Sequence, residues 1–426
     1  MKTQTLQKKN SLDKNIRTDV LVIGAGLAGI LSAYMLKEKG IDCVVVERNR
    51  IMGGESGNTT AKITAQHGLI YSKLLSDLGT EKAKLYLKTN NDAVNRYEKL
   101  CRKIDCDFEK KDNFVYSINN RRKLQSELDA LDKLGFSAEF QKELPLPMTV
   151  AGAVKFSNQA QFHPVKFASE IIRDLDIYEN TPVKEISDSA VITPQGTIKA
   201  DYIIVATHFP FINNHGAYFM KLYQHRSYVI ALQNAKDYDG MYVDEKDTGM
   251  SFRNYKDFLL VGGGDHRTGK NGGNWRELRD FSKINYPGAA EKYFWAAQDC
   301  MSLDGVPYIG KYHKGSSKIY VATGFNKWGM TGSLVAAELL TNLVSSVKDE
   351  REELFSPSRS ILKPQLFLNG IESVISFITP AKKRCPHLGC ALRWNSAEHS
   401  WDCPCHGSRF DENGKLLDNP ANGDLP

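Results

Sequence analysis

The sequence predicts an α/β fold: a parallel-sheet domain interrupted by an inserted antiparallel sheet and followed by a small all-β module. Three stretches carry this reading. "DVLVIGAG" near the start is a continuous apolar run that breaks into glycines, as a buried parallel strand entering a tight turn does. Residues 213–300 hold short segments of strand character, "QHRSYVIAL", "GMYVDEK", "GMSFRNY" and "FLLVGGG". The far end, "CPHLGCALRWNSAEHSWDCPCHGSRF", packs cysteine and histidine into two tight boxes.

Length and composition leave room for these parts and exclude several functions. A chain of 426 residues can bury a large core in two or three domains. Hydrophobic residues at 41% and charged residues at 25% are ordinary for a globular protein. The net charge of +6 is spread out, and the short basic runs "LQKKN" and "AKKRC" lack interleaved aromatics, so no nucleic-acid surface is expected. No stretch reaches membrane-spanning length. The opening "MKTQTLQKKNSLDKNIRTD" lacks the apolar centre of a secretory signal and reads as a flexible tail over 1–17, which points to the cytoplasm. The run "LFLNGIESVISFIT" is amphipathic; it could lie on a membrane surface, but packing against its own domain is the expectation.

The first element is the strand 18–23, which feeds Gly24-x-Gly26-x-x-Gly29, a helix, and the second strand "DCVVVE" ending on Glu47. Each glycine has a task in a Rossmann-type unit: Gly24 for the turn, Gly26 for backbone approach to a pyrophosphate, Gly29 for close helix–strand packing. The helix N-terminus then faces phosphate charge. Glu47 is placed to accept from ribose hydroxyls. The small and hydroxylic stretch "GGESGNTTAKITAQHG" suits a loop laid along a cofactor, with Thr59, Thr60 and Ala61, and Arg48 next to Glu47, as contacts. The fingerprint itself is shared by FAD and NAD proteins.

Further on stand "AQFHPVKFA", "TPVKEI", "ADYIIVATH", "SLDGVPYIG" and "KIYVATGFNKWGMTGSLVAAELL". With the first motif they resemble the glycine oxidase and D-amino-acid oxidase (DAO) family of FAD enzymes, from about residue 18 to about 347. The resemblance implies that Val183 contacts the adenine and that Ala206 and Thr207 lie near the pyrophosphate. It also implies that Gly324, Trp328, Gly329, Met330 and Thr331 bring a strand end and a helix N-terminus to the flavin. That N-terminus would stabilise negative charge on the reduced ring. FAD-binding parts fall at about 18–75, 155–212 and 300–347, and substrate-domain parts at about 76–154 and 213–299, within a unit of 18–358. No second glycine fingerprint for a nicotinamide cofactor is visible, so a substrate must reduce the flavin directly. Relatives take a hydride from the carbon beside an amine nitrogen. Arg253 falls where they place an arginine for a substrate carboxylate; His225, Tyr228 and His266 are further candidates for the pocket. The pattern "TAQHG" around His67 does not match a flavin-attachment motif, and non-covalent FAD is expected.

After a linker and amphipathic helix at 359–382 comes the module 383–426. Cys385-x-His387 and Cys403-x-x-His406 contribute one thiolate and one imidazole each. A Rieske [2Fe-2S] centre needs two cysteines on one iron and two histidines on the other. A mixed-ligand zinc site is the alternative. The string closely resembles the Rieske signature, which implies a disulfide between Cys390 and Cys405 and a hydrogen bond from Ser408 toward the cluster. Quinol-oxidising relatives carry a tyrosine where this chain has Phe410. One donor fewer to the sulfurs predicts a lower potential. The strands that usually support such loops are absent before Cys385. Either a stretch is missing between roughly 378 and 385, which is the expectation, or the preceding domain must brace the loops.

Together the two ends predict a dehydrogenase. An amine or amino-acid substrate gives two electrons at once, and the cluster passes them singly to an acceptor protein or a quinone. An electron-transfer module reduced by a partner protein, and an oxidase with a structural zinc tail, are the alternatives.

Overall fold

The computed structural model describes residues 6–187, 189–212, 216–272 and 274–426. Among them the apolar strands Ile16–Ile23 and Cys43–Val46 pair in parallel at the centre of the first sheet. Its order runs Tyr308–Lys311, Ile319–Thr323, Gly196–Val205, Ile16–Ile23, Cys43–Val46, Asp176–Tyr178. Val20, Val22 and Val45 face helices Leu27–Glu38 and Gly329–Val344, while Leu21, Ile23, Val44 and Val46 pack into a second core on the other side. Burial of both faces explains why these strands read as unbroken apolar runs.

The second sheet is mostly antiparallel, in the order Ala290–Ser302, Leu222–Gln233, Phe258–Arg267, Ser251–Tyr255, Met241–Asp244, Glu109–Ser117, Gly152–Gln161, Lys62–Ile63. It joins segments from both sides of the long helix Tyr71–Cys101, which is broken at Gly79 by a left-handed φ of 79°. The third sheet is a meander of four short strands, Arg393–Asn395, Ser400–Asp402, Arg409–Asp411 and Leu416–Asp418.

Two expectations change here. Residues 6–17 are not a loose tail. Leu12 is buried in the second core, its amide donates to Thr181 Oγ1 (3.1 Å), and Ile16 already pairs with Ile198. Lys9 N–H also donates to Glu179 (2.9 Å) and Asn15 Oδ1 accepts from Thr197 N–H (2.8 Å), so ties along its whole length order this short segment. Helix Pro364–Ile378 is also inverted relative to expectation: Asn369, Glu372 and Ser376 are buried while its apolar residues face outward. Arg267, Lys270 and Ala391 supply the polar partners that the inward face requires.

Candidate functional site

A cavity of about 790 Å³ opens at the C-terminal ends of the parallel strands, between the first sheet and the second. Ligands occupy this crevice in open α/β sheets. Gly24, Gly26, Glu47, Arg48, Thr59, Thr60, Val183, Ala206, Thr207, Trp328, Gly329 and Met330 all line it. Gly24 adopts φ +105°, and a Cβ there would lie 2.5 Å from Ala206 O; a Cβ on Gly29 would run into Gly24 O. The turn is therefore stripped to backbone, as a cradle for a pyrophosphate must be. Gly29, Ala61, Gly324 and Thr331 lie behind the wall. Thr331 Oγ1 bonds to His67 Nε2 (2.9 Å), and the His67 ring stacks on Trp328 at 5.2 Å. His67 Nδ1 meets Tyr86 Oη at 2.7 Å, so both ring nitrogens are engaged. Burial pushes the imidazole pKa down to about 3. Glu47 takes two backbone donors, Ala25 N–H (2.9 Å) and Asn49 N–H (2.8 Å). These tie the glycine turn to the loop that follows the second strand.

Of the four expected substrate contacts, Tyr228 lines the cavity and the other three lie outside its lining. Arg253 is fully buried and outside the cavity lining; its guanidinium finds no hydrogen-bond partner among the described residues and lies 5.8 Å from the Tyr255 ring centre. His225 is also outside the lining, edge-on to Tyr223, which does line it. His266 stacks on Tyr228 and faces a different groove. Tyr228 touches the cavity, but its hydroxyl donates to Glu398 of the terminal module at 3.2 Å. Strand register decides these placements, and a shift in pairing between Arg226 and Tyr228 re-aims neighbouring side chains.

The cavity instead presents charged groups that the sequence did not single out. Lys327 Nζ pairs with Asp265 at 2.6 Å, and Asp299 stands in the same wall. Burial raises the pKa of both carboxyls. Burial would lower that of Lys327, but Asp265, Asp247 and Asp299 more than offset it. Asn326 and Lys327 hold left-handed φ values of 51° and 71°. Such backbone in non-glycine residues clusters at functional sites. Lys62 also lines the cavity, and burial with nearby Arg253 lowers its pKa to about 7.

The terminal module folds around its two boxes. Cys390 and Cys405 form a disulfide, leaving Cys385 and Cys403 as thiols. Those two share a hydrogen bond that holds Cys385 below its ordinary pKa and Cys403 above it. Backbone N–H groups of His387 and Leu388 point at the first sulfur, and those of Cys405 and His406 at the second. Ser408 also bonds to Cys385. The His387 and His406 rings stand 4.9 Å apart and perpendicular. Burial lowers their pKa values to about 4 and about 3, so both imidazoles are neutral and able to ligate. Two thiols and two neutral imidazoles at adjoining loop tips fit a Rieske cluster.

The larger domain braces these loops, as the second sequence-based alternative requires, and this leaves the expectation of a stretch missing before Cys385 untouched. Arg267 donates to Pro404 O (3.0 Å) and Cys405 O (3.1 Å), and Gln298 Nε2 to Gly407 O (2.9 Å). Asn419 Nδ2 reaches Thr207 O (2.8 Å) and Phe209 O (2.6 Å). Arg226 pairs with Glu398, which also bonds Arg409. Most telling is Gln224. Its Oε1 lies 2.9 Å from His208 Nε2 in the cavity wall, and its Nε2 donates to His406 O at 2.9 Å.

Comparison with known proteins matches both parts of the chain. The model of the family "FAD dependent oxidoreductase" (DAO) matches residues 19–343, and that of the "Rieske [2Fe-2S] domain" matches 377–426. The chain is 32% identical over 479 aligned positions to the Bacillus subtilis (strain 168) "Putative Rieske 2Fe-2S iron-sulfur protein YhfW", covering 96% of this chain and 93% of the relative. That span exceeds the present chain, so the relative holds residues without counterpart here. The "Cytochrome b6-f complex iron-sulfur subunit" of Nostoc punctiforme is 36% identical over 80 residues, 19% of this chain and 37% of that one. Glycine oxidase from Geobacillus kaustophilus superposes with a TM-score of 0.67 at 18% identity, over 81% of this chain and 99% of the other. Cradle, cluster loops and kinship converge: the chain belongs to the FAD-dependent oxidoreductase family, carries a Rieske domain, and is a redox enzyme whose cofactors are FAD and a [2Fe-2S] cluster.

Proposed function

We propose that this chain is a dehydrogenase for an amine or amino acid that sends electrons one at a time through the Rieske domain to an external acceptor. The observation that carries this reading is the Gln224 bridge: one side chain spans the distance from the cavity wall to the backbone of a cluster ligand. A direct oxidase would not need its cluster loops seated there.

FAD would be held without a covalent bond by Gly24, Gly26, Glu47, Arg48, Thr59 and Thr60 on one side, with Gly29 and Ala61 behind them shaping the turn and the loop. Val183, Ala206, Thr207 and the 324–331 turn would hold it from the other. When bound, it accepts a hydride from carbon and releases electrons singly, which matches the one-electron capacity of the cluster. The cluster would be held by Cys385, His387, Cys403 and His406. Substrate amines arrive as ammonium ions and must lose a proton before hydride can leave the neighbouring carbon. Lys62 suits that task, since a lysine with a pKa near 7 is largely neutral in mild base and its Nζ can take the proton. Asp265 and Asp299 would hold the charged nitrogen in place, and the known substrate of the glycine oxidase relative is in keeping with a small amino acid. His406 is buried against Phe209 and Phe219, whereas His387, also beside Phe209, is half-buried and would be the ligand nearer the surface.

Anaerobic screening of amines and amino acids tests the proposal. A true substrate bleaches the flavin band and the Rieske absorbance together. Bleaching of flavin alone, with the cluster left oxidised, would reject the electron route.

A further inference from the structure

Helix Pro364–Ile378 turns its polar side chains toward the protein and its apolar ones toward solvent. Asn369 Oδ1 accepts from Arg267 (2.9 Å), Glu372 pairs with Lys270, and Ser376 Oγ bonds to Ala391 O (3.3 Å). These ties fix the helix in rotation. Outward stand Phe367 (65% exposed), Leu368, Ile371 (57%), Val374, Ile375, Phe377 and Ile378 (71%). Leu362 extends the patch at one end, and Leu388 of the first cluster loop is exposed as well. A run this apolar and this exposed marks an interaction surface.

Charge selects the partner. The helix has one acidic residue, Glu372, and it is turned inward. Lys363 precedes the helix, and Lys382, Lys383 and Arg384 follow it. An apolar face with cations at both ends and no exposed acid is the pattern of a helix lying in the interfacial plane of an anionic bilayer. No helix among the described residues is long and apolar enough to cross a membrane, so such a helix would lie on the surface. We propose that this face docks the protein on a membrane bearing anionic headgroups. The helix is fastened to the cluster loop: Ala391 N–H donates to Ser376 O (3.1 Å), and Arg384 bridges Phe377 O (3.1 Å) and Gly389 O (2.8 Å). Docking therefore sets the cluster loop beside the bilayer, within reach of a lipid-dissolved acceptor such as a quinone. That last clause rests on the function proposed above; the docking itself does not.

Vesicle flotation of the full holoprotein tests it, with phosphatidylcholine vesicles and with phosphatidylcholine–phosphatidylglycerol vesicles. The expected result is binding to the anionic vesicles, weakened by salt, and at least about tenfold weaker in the Phe367→Ser/Ile371→Ser double variant, which loses two inserted side chains. Both positions are exposed, so the variant should keep its flavin and cluster spectra and its melting temperature. Lys382→Glu should weaken binding while leaving those spectra unchanged. No binding to either vesicle, equal binding to both, or undiminished binding of the double variant would overturn the proposal. So would a two-chain mass in solution that the double variant returns to one chain, since the face would then belong to a second copy.

Discussion

Lys62 shows how a single side chain acquires a role that its sequence neighbours do not announce. It stands on the short edge strand Lys62–Ile63, where burial and Arg253 lower its pKa to about 7. Below that pH it is charged and cannot accept a proton; above it the neutral amine can. kcat/KM for an ammonium substrate should therefore rise with pH through about 7, and Lys62→Met should remove that limb and lower the rate about 10²-fold at high pH. A pH–rate profile of both proteins checks this. At the cluster, Phe410 is fully buried among the four cysteines. Phe410→Tyr should add a hydroxyl donor worth about 1 kcal/mol, or about 40 mV upward for one electron, read by redox titration. The glycine cradle and the four ligands were legible because their chemistry is local: turn, ligand type and spacing lie within a few residues. Arg253, His225 and His266 fall outside the cavity lining because the side of a strand that a residue occupies depends on sheet register, which no short window contains. Lys327 and Asp265 were overlooked for the opposite reason, since they are 62 residues apart and look like ordinary surface charges until the fold pairs them.

Among elements, the seam between the two domains deserves the sharper test because so much of it is ionic. Glu398 is nearly buried and bonded to Arg226, Tyr228 and Arg409. Burial alone would raise its pKa, but Arg226 and Arg409 hold it down at about 2. Its stabilising contribution is thus complete above its ordinary value near 4.5 and is lost as pH falls from there toward 2. Glu398→Gln should cost about 3 kcal/mol at neutral pH by stranding the Arg226 guanidinium, while Arg409 keeps Asp402 and Asp418, and should flatten the acid limb of the stability curve. Thermal melts across that pH range read both effects. The seam braces the cluster loops from both sides: Arg267 and Gln298 of the larger domain reach into the module, and Asn419 of the module reaches back to Thr207. The inverted helix at 364–378 follows the same logic. Its period was visible in the sequence, but which stripe faces inward depended on partners from distant segments, Arg267 and Lys270.

For the molecule as a whole, two separately recognisable halves become one device only where they touch. Parallel strands, glycine turn and cluster boxes follow from local pattern, so fold class and cofactors could be read ahead of the coordinates. The seating of one half on the other could not, because it is made of single contacts such as His208–Gln224–His406 scattered along the chain. Gln224→Ala should slow transfer from flavin to cluster while leaving substrate reduction of the flavin unchanged, with rapid-mixing absorbance as the readout. The most direct trial needs no variant. Oxidised holoprotein is mixed anaerobically with a reducing substrate, and the flavin and Rieske signals are followed in one trace, with the cluster checked by EPR. The account predicts that the cluster gains an electron at the expense of reduced flavin within a single turnover, independent of protein concentration. A cluster that stays oxidised beside fully reduced flavin, or that is reduced only by collision between molecules, would contradict it.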